Sequence, residues 1–295
     1  MNFKTAKKVF AAGMAVAAIM GGALTAQAQV SYQHIRNATG KLTYNDTTFL
    51  IDPMFADKGS FPGFAGTFNQ ETDNPKTALP ESKADIMKGV DAVIVTHTHL
   101  DHWDPAAQQY IDKDLPVYTQ NEQDAEAIRK EGFRNVQVLE GSKEFQGVTI
   151  TRIEGQHGTN AMYENKPIGD VLGESMGVVF QEKNEKTTYV MGDTIWNARV
   201  TKTLRQYNPE VIVMNTGYAK VLGYNDGIIM GTEDVGHAAS LAPKADIITV
   251  HMDAINHCTV SRQNMRDYVK LMHLENQVSV PEDGDHVQLK GETRK

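Results

Sequence analysis

Cysteine is almost absent from this sequence of 295 residues, which contains Cys258 alone. A chain with a single cysteine cannot form an internal disulfide, and this excludes the small folds that depend on disulfide bridges. Stability must therefore come from a hydrophobic core. A chain of this length, with 40% apolar and 22% charged residues, can bury such a core as one large domain or two small ones.

Positive charge is also in deficit, since 29 Lys and Arg residues stand against 37 Asp and Glu residues, for a formal net charge of −8. An acidic surface repels nucleic-acid phosphates at long range, which disfavours a non-specific nucleic-acid binder. A metal site could still attract a phosphate, because the ions dominate the local field. We therefore expect a small-molecule substrate and no nucleic-acid partner.

Long apolar runs are missing beyond the N-terminus, so we expect no membrane span in the mature protein. Three lysines, at positions 4, 7 and 8, precede an apolar run over residues 9–24, and Ala26-Gln27-Ala28 follows. This order is typical of a secretory signal peptide, and the run is shorter than the roughly 20 residues that a membrane anchor needs. We expect a signal peptide over residues 1–28, a domain over residues 29–295, and a periplasmic or secreted protein. Without the three lysines its net charge is −11.

Strand and helix patterns interleave along the rest of the chain. Nearly continuous apolar runs predict buried strands, for example over residues 90–95, 211–214 and 247–250. Capping and periodicity predict helices over residues 105–111, 122–130, 201–207, 232–239 and 262–274. This alternation predicts an α/β architecture in which helices cover the sheets.

Three histidines and one aspartate fall within six residues, directly after the predicted strand that ends at Val95. Side chains two positions apart in an extended segment point to the same side, so His97 and His99 can bind one metal. Asp101 and His102 follow the turn and can reach a neighbouring metal. Imidazole nitrogens and carboxylate oxygens are ligands that zinc prefers.

Four residues do not fill two coordination spheres, so further ligands are expected downstream. His157, Asp193 and His251 each follow a predicted strand, and the ends of strands in one sheet system can converge. Two histidines are candidates for the last ligand: His251 is preferred because it ends its strand, and His257 is the alternative. We expect two divalent metal ions, zinc first, with manganese or iron as alternatives.

The motif His97-x-His99-x-Asp101-His102 resembles the signature of the metallo-β-lactamase superfamily, and the downstream candidates follow in the order of that superfamily. The resemblance covers the chain from about Ser31. It is closest to the branch that includes ascorbate-6-phosphate lactonase-like proteins, and it implies a four-layer αββα sandwich. It also implies one metal held by His97, His99 and His157, a second held by Asp101, His102 and His251, and Asp193 as a bridge between them. A bridging carboxylate departs from true β-lactamases, which disfavours antibiotic hydrolysis.

The function implied is a metal-dependent hydrolase in which a metal-bridging hydroxide cleaves a lactone, another ester or a phosphodiester. Asp101 is the candidate catalytic residue, since a ligand in this position could also handle a proton. A mononuclear iron oxidoreductase of the sulfur-dioxygenase type and a non-catalytic metal-binding protein are the alternatives. Asp52 ends another strand, and it is either a turn residue or a group that orients the histidines.

The loops offer weaker indications. The long loop over residues 52–80 carries Phe61, Phe64 and Phe68, which form either an apolar lid or simple packing, and Asn215, Tyr218 and Lys220 are candidates for substrate contact. Residues 173–177 match G-x-S-x-G, but a nucleophile elbow needs a strand before the serine and a helix after it, whereas here a loop precedes and a strand follows. Cys258 is interpreted as a small buried apolar residue.

The signal segment leads to a direct test. We expect the exported protein to begin at Gln29, because the A-x-A site ends at Ala28. The intact mass of protein recovered from the periplasm or medium, after expression of the full chain, measures this. Membrane-bound protein that retains residues 1–28 would support an N-terminal anchor instead.

Overall fold

The computed structural model describes residues 30–44 and 46–289, so the predicted signal peptide lies outside the described residues. Within them, fourteen strands are numbered β1 to β14 in chain order: Ser31–Arg36, Thr39–Tyr44, Thr47–Ile51, Ala92–Ile94, Val117–Thr119, Val136–Val138, Ser142–Phe145, Val148–Glu154, Met176–Gln181, Thr188–Val190, Val211–Asn215, Asp246–Val250, Val278–Ser279 and His286–Val287. Eight helices, α1 to α8, are Lys83–Met87, Pro105–Tyr110, Glu122–Lys130, Asn160–Glu164, Lys166–Leu172, Ala198–Tyr207, Thr232–Leu241 and Arg262–Leu271. None of the helices in these residues has the length and hydropathy of a membrane-spanning segment.

The strands form two mixed sheets of seven. The first has the order β14-β1-β2-β3-β4-β5-β6, and the second has the order β13-β12-β11-β10-β9-β8-β7. In the first sheet, β3 to β6 run parallel; in the second, β10 to β13 run parallel while β7 to β10 alternate. Each sheet therefore has one edge at which the carboxyl ends of several strands meet.

The alternation of side chains along each strand divides the apolar residues between two layers. In β11, Val211 and Val213 point into the core between the sheets, whereas Ile212 and Met214 point outward to the core beneath α6, α7 and α8. On the other sheet, Leu50 packs outward with residues of α1, α2 and α3. The result is a helix layer on each side of two stacked sheets, which confirms the four-layer αββα sandwich.

The local patterns explain several helix boundaries. Helix α2 begins after Asp104, whose side chain accepts the backbone amide of Ala107 at 2.7 Å, with Pro105 in the first turn as predicted. Helix α6 begins three residues before its predicted start, because Asn197 caps it through the amides of Arg199 and Val200. Helix α8 ends at Leu271, three residues short of the prediction.

Two short helices, α4 and α5, cover one edge of the sandwich and were not predicted. They pack through Met162 and Leu172 against Ala219 and Ile228, which lie in the long loop after β11. With five and seven residues, these helices are too short to show a clear helical period in the sequence. Their position matters for function, because this edge is the one at which the strands end.

Phe180 is expected to be a main contributor to the core between the sheets. Its ring is fully buried and lies 5.2 Å from the ring of Phe49 on the opposite sheet. Phe180→Ala should lower the free energy of unfolding by about 3–5 kcal/mol, because a large buried cavity is created. Urea unfolding measures the change, with Leu271→Ala, 74% exposed, as a control that should stay within about 0.5 kcal/mol. A loss for Phe180→Ala no larger than that of the control would contradict this role.

Candidate metal centre

The His97 to His102 stretch follows β4 at the carboxyl edge of the first sheet. The chain turns at His99, whose carbonyl oxygen accepts the amides of His102 and Trp103, each at 2.9 Å. Before the turn, the Nε2 atom of His97 lies 2.9 Å from the Nδ1 atom of His99. The two histidines therefore face the same point, as their spacing predicts.

The downstream candidates follow β8, β10 and β12 of the second sheet. Because β9 is antiparallel to β8 and β10, and β10 to β12 are parallel, these three strands end at one edge. Gly192 permits the turn into Asp193: its φ is +64°, and a Cβ atom there would lie 2.2 Å from the carbonyl oxygen of Met176. His251 itself has a φ of 63°, a strained conformation that is typical of functional sites.

The structure brings all seven predicted residues together. Their ligand atoms form three groups in which all atoms lie within 4.8 Å of one another: His97, His99 and His157; His97, His102 and Asp193; and Asp101, His102 and His251. Asp193, in the second group, lies between the first and the third. Its Oδ2 atom is 3.7 Å from Nε2 of His157, and its Oδ1 atom is 3.6 Å from Nε2 of His251. His257 belongs to none of these groups, so the geometry favours His251 as the last ligand.

Each histidine directs one ring nitrogen into the cluster and has the other held from outside. The outer partners are the hydroxyl of Thr96 for His97, the carbonyl of Val171 for His99, the carboxylate of Asp52 for His102, the carbonyl of Ile228 for His157 and the sulfur of Cys258 for His251. Four of these contacts measure 2.8–3.1 Å, and the contact to the sulfur measures 3.5 Å. Outer hydrogen bonds of this kind fix the ring orientation of histidines that bind metals.

Asp52 has the orienting position that the sequence offered as one of two interpretations. Its Oδ2 atom lies 2.8 Å from Nδ1 of His102, and its two oxygens accept the backbone amide and the hydroxyl of Thr96, each at 2.7 Å. Thr96 in turn contacts His97. A single buried carboxylate therefore orients two histidines of the cluster.

The electrostatics of the cluster call for a cation. Burial alone would raise the pKa of Asp193, but His102 and His251 hold it well below its usual range. Burial likewise opposes protonation of His102, but the carboxylates of Asp193, Asp101 and Asp52 outweigh it and raise the pKa to about 10. Since buried carboxylates need a positive partner, either protons or metal ions must supply it.

The donor set fits divalent metal ions. Imidazole nitrogens and carboxylate oxygens converge from two sheets, they are nearly all buried, and the outward nitrogens are already committed to other partners. Zinc accepts this combination in tetrahedral and five-coordinate sites. Metal binding needs the deprotonated ligands, so the ions would displace the protons that otherwise balance the carboxylates.

Two asparagines that support the cluster were not identified as such from the sequence. Asn37 donates to the backbone oxygen of Asp101 at 3.1 Å, and its amide nitrogen lies 3.4 Å from Nε2 of His251. Asn215, expected to contact substrate, donates instead to Oδ1 of Asp193 at 2.6 Å. The only sequence signal for Asn37 is an asparagine in the turn after β1; its φ of 57° is a conformation that asparagine tolerates, and asparagines in turns are too common to indicate this role.

A cavity of about 320 Å³ opens beside the cluster. Its walls are mainly apolar and come from the aromatic loop, from α5 and from the loop after β11: Phe64, Ala65, Leu100, Val171, Leu172, Val221 and Ile228. His99, Asp101, His157 and Asp193 form its floor. Of the three phenylalanines considered as a lid, Phe64 lines the cavity, Phe61 packs on Phe64 at 6.0 Å between ring centroids, and Phe68 is 44% exposed.

The remaining sequence candidates lie outside this cavity. Neither Tyr218 nor Lys220 is among its lining residues. Ser175, the serine of the G-x-S-x-G match, is buried and donates its hydroxyl hydrogen to the backbone oxygen of Asp193 at 2.5 Å. Its hydroxyl therefore supports the cluster, in agreement with the rejection of a serine nucleophile.

Asp52→Asn should lower the affinity for metal by about 10- to 100-fold, because His102 and Thr96 lose a charged acceptor. Competition with a chromogenic chelator measures the affinity. Asp267→Asn, an exposed change on α8, is the matched control. Unchanged affinity in a folded Asp52→Asn protein would return Asp52 to the role of a turn residue.

Comparison with known proteins agrees with this geometry. A family model described as "Beta-lactamase superfamily domain" matches residues 47–252. The UPF0173 protein YddR of Bacillus subtilis (strain 168) is 40% identical over 251 residues, which cover 85% of this chain and 96% of YddR. A UPF0173 metal-dependent hydrolase of Rubrobacter xylanophilus is 23% identical over 266 residues, which cover 86% of this chain and 94% of that relative.

Two solved structures are also similar. A "possible metal-dependent hydrolase" from Veillonella parvula DSM 2008 has a TM-score of 0.87 and 48% identity, and the match covers 88% of this chain and 99% of that one. An isothiocyanate hydrolase from Delia radicum gut bacteria has a TM-score of 0.84 and 44% identity, with 88% and 98% covered. The resemblance to the ascorbate-6-phosphate lactonase branch stays a prediction. The chain belongs to the family described as "Beta-lactamase superfamily domain", and it is a metal-dependent hydrolase.

Proposed function

We propose that this hydrolase uses two metal ions and that its substrates are isothiocyanates, small molecules of the form R–N=C=S. The dinuclear proposal rests on the seven donor side chains that the fold brings together. Three of them lie on each side of Asp193, and three donors are enough to hold one ion. In this proposal one ion is held by His97, His99 and His157, the other by Asp101, His102 and His251, and Asp193 bridges them. Zinc is the proposed metal.

The lining of the cavity supports a small, uncharged substrate. Among the described residues that line it, none is Lys or Arg, whereas a phosphodiester would favour a cationic partner. Its apolar wall suits an alkyl or aromatic group. The isothiocyanate hydrolase from Delia radicum gut bacteria is 44% identical over nearly its whole length, which favours this class over the lactones, esters and phosphodiesters expected from the sequence.

The reaction adds water across the C=N bond of the substrate. A C–O bond forms, the electron pair of the C=N π bond moves to nitrogen, and the thiocarbamic acid R–NH–C(=O)–SH that results breaks down to the amine R–NH₂ and carbonyl sulfide. When bound, the two ions would lower the pKa of water to near neutrality and polarise the substrate. Asp101 lies in the cavity floor, and we propose that its carboxylate takes up the proton that the attacking water loses.

Metal content tests the dinuclear proposal. Elemental mass spectrometry of the purified mature protein should give about two zinc ions per chain. Asp193→Ala should lose at least one ion, because Asp193 lies between both groups of histidines. About one iron ion per chain would instead favour the sulfur-dioxygenase type of chemistry.

The substrate proposal is tested by incubating the zinc-loaded protein with benzyl and allyl isothiocyanate and following both substrate loss and amine formation. Hydrolysis should stop when a chelator removes the metal and should return when zinc is restored. Small lactones and carboxylic esters are the comparison substrates. A zinc-loaded protein that cleaves these and leaves isothiocyanates intact would refute the proposed substrate class.

A further inference from the structure

One polar side chain of the cavity has no role in the proposed metal centre. Beyond the four predicted metal ligands in the floor, the described lining residues with polar side-chain atoms are Thr67 and His257. The hydroxyl of Thr67 is committed: it donates to the backbone oxygen of Phe64 at 2.6 Å and accepts the amide of Asn256 at 2.9 Å. His257 is therefore the lining residue whose polar group is available to a ligand.

The imidazole of His257 is buried and unpaired. It is only 6% exposed, and its Nδ1 atom has no hydrogen-bond partner among the described residues. Buried polar atoms nearly always have a partner, and those that do not require an explanation. The other ring nitrogen, Nε2, is not among these buried unpaired atoms and makes no hydrogen bond to a described residue, so it is the nitrogen available to a ligand in the cavity that the ring lines.

The ring is also held in a fixed place. Its centroid lies 5.2 Å from that of Phe64, in an edge-to-face arrangement with an interplanar angle of 82°. The preceding residue, Asn256, is fully buried and accepts the amide of Phe64, while it donates to the carbonyl oxygen of Phe68. The aromatic loop and His257 are therefore positioned by one segment, and fixed donors are those that act effectively in catalysis.

His257 lies close to the metal centre without joining it. Asp101 and His257 line the same cavity, whereas the ligand atoms of Asp101 group with His102 and His251 and not with His257. A molecule in the cavity would therefore meet His257 on the side of the aromatic loop and the predicted ligands at the floor.

We propose that His257 is a catalytic residue that donates an N–H hydrogen bond to the isothiocyanate nitrogen, where negative charge develops as water adds to the carbon. This inference rests on the proposed function. The new C–O bond forms as the C=N π bond breaks, the nitrogen receives the electron pair, and the hydrogen bond stabilises that charge until a proton from water completes the N–H bond. The donor contributes more in the transition state than in the bound substrate, because negative charge on nitrogen has developed only in the former.

The protonation state of the ring agrees with this role. Burial lowers the pKa of His257 to about 4, an effect that Asp101 opposes and His251 reinforces. The ring is then neutral at pH 7 and carries one N–H donor and one acceptor nitrogen. A neutral donor suits a substrate that has no charge before the reaction.

His257→Ala in the zinc-loaded enzyme tests the proposal. We expect kcat/KM for benzyl isothiocyanate to fall about 10²- to 10³-fold, as for other lost donors to a developing anion, with zinc content unchanged. His257→Gln keeps an N–H donor and should recover part of the loss. His237→Ala, a change in an exposed histidine stacked on Trp196, is the matched control and should behave as wild type.

Thiocyanate binding separates this proposal from the proposed substrate class. The thiocyanate ion has the same linear N–C–S unit, and its Kd can be measured by calorimetry without turnover. His257→Ala should raise that Kd about tenfold, as expected for one lost hydrogen bond. If wild type hydrolyses no isothiocyanate but this shift is seen, the proposed substrate class is wrong, and His257 is a hydrogen-bond donor to ligands of the cavity but not a catalytic residue for isothiocyanates.

Two results would overturn the proposal. The first is loss of zinc in both His257 variants, which would make His257 a metal ligand. The second is a folded, zinc-loaded His257→Ala protein whose kcat/KM and thiocyanate Kd both stay within about threefold of wild type.

Discussion

The whole active edge depends on two buried carboxylates and five imidazoles, four of them buried, whose inward atoms face one another. Such a cluster is unfavourable unless a cation balances it, because burial removes the water that would otherwise solvate the charges. The surrounding structure holds the histidines in place by hydrogen bonds to their outward ring nitrogens. Asp52 makes the largest contribution, because it contacts both His102 and Thr96. The cluster is therefore arranged for cations before any ion is bound.

The sandwich supplies the rigidity that this arrangement needs. The donors come from two sheets, and each follows a strand whose sides are packed in a core, such as β4 beside Phe49 and Ile51 in the first sheet and β12 in the second. Two strained residues, Asp52 with a φ of 46° and His251 with a φ of 63°, stand where strands give way to the site. Such strain persists only where the packing around it is strong enough to hold it.

Substrate selection and the proposed chemistry share one short segment. Asn256 holds the aromatic loop through Phe64 and Phe68, and His257 presents its ring to the same cavity. The opposite wall comes from α5, where the carbonyl of Val171 also accepts a hydrogen bond from His99. A change in either wall would therefore affect both the shape of the cavity and the orientation of groups that act in it.

The sequence by itself determined the superfamily, the layered α/β architecture and the composition of the cluster, because ligand-type residues at strand ends follow from local patterns. It left Asp52 between two interpretations and His251 beside His257, since the orientation of a side chain after a strand depends on distant segments. Helices α4 and α5 were too short to give a period, and Asn37 lies in a turn like many others. Only the tertiary structure decided which residues meet: it brought Asn37 to His251, committed Asn215 to Asp193 and placed His257 in the cavity, because these contacts join segments far apart in the chain.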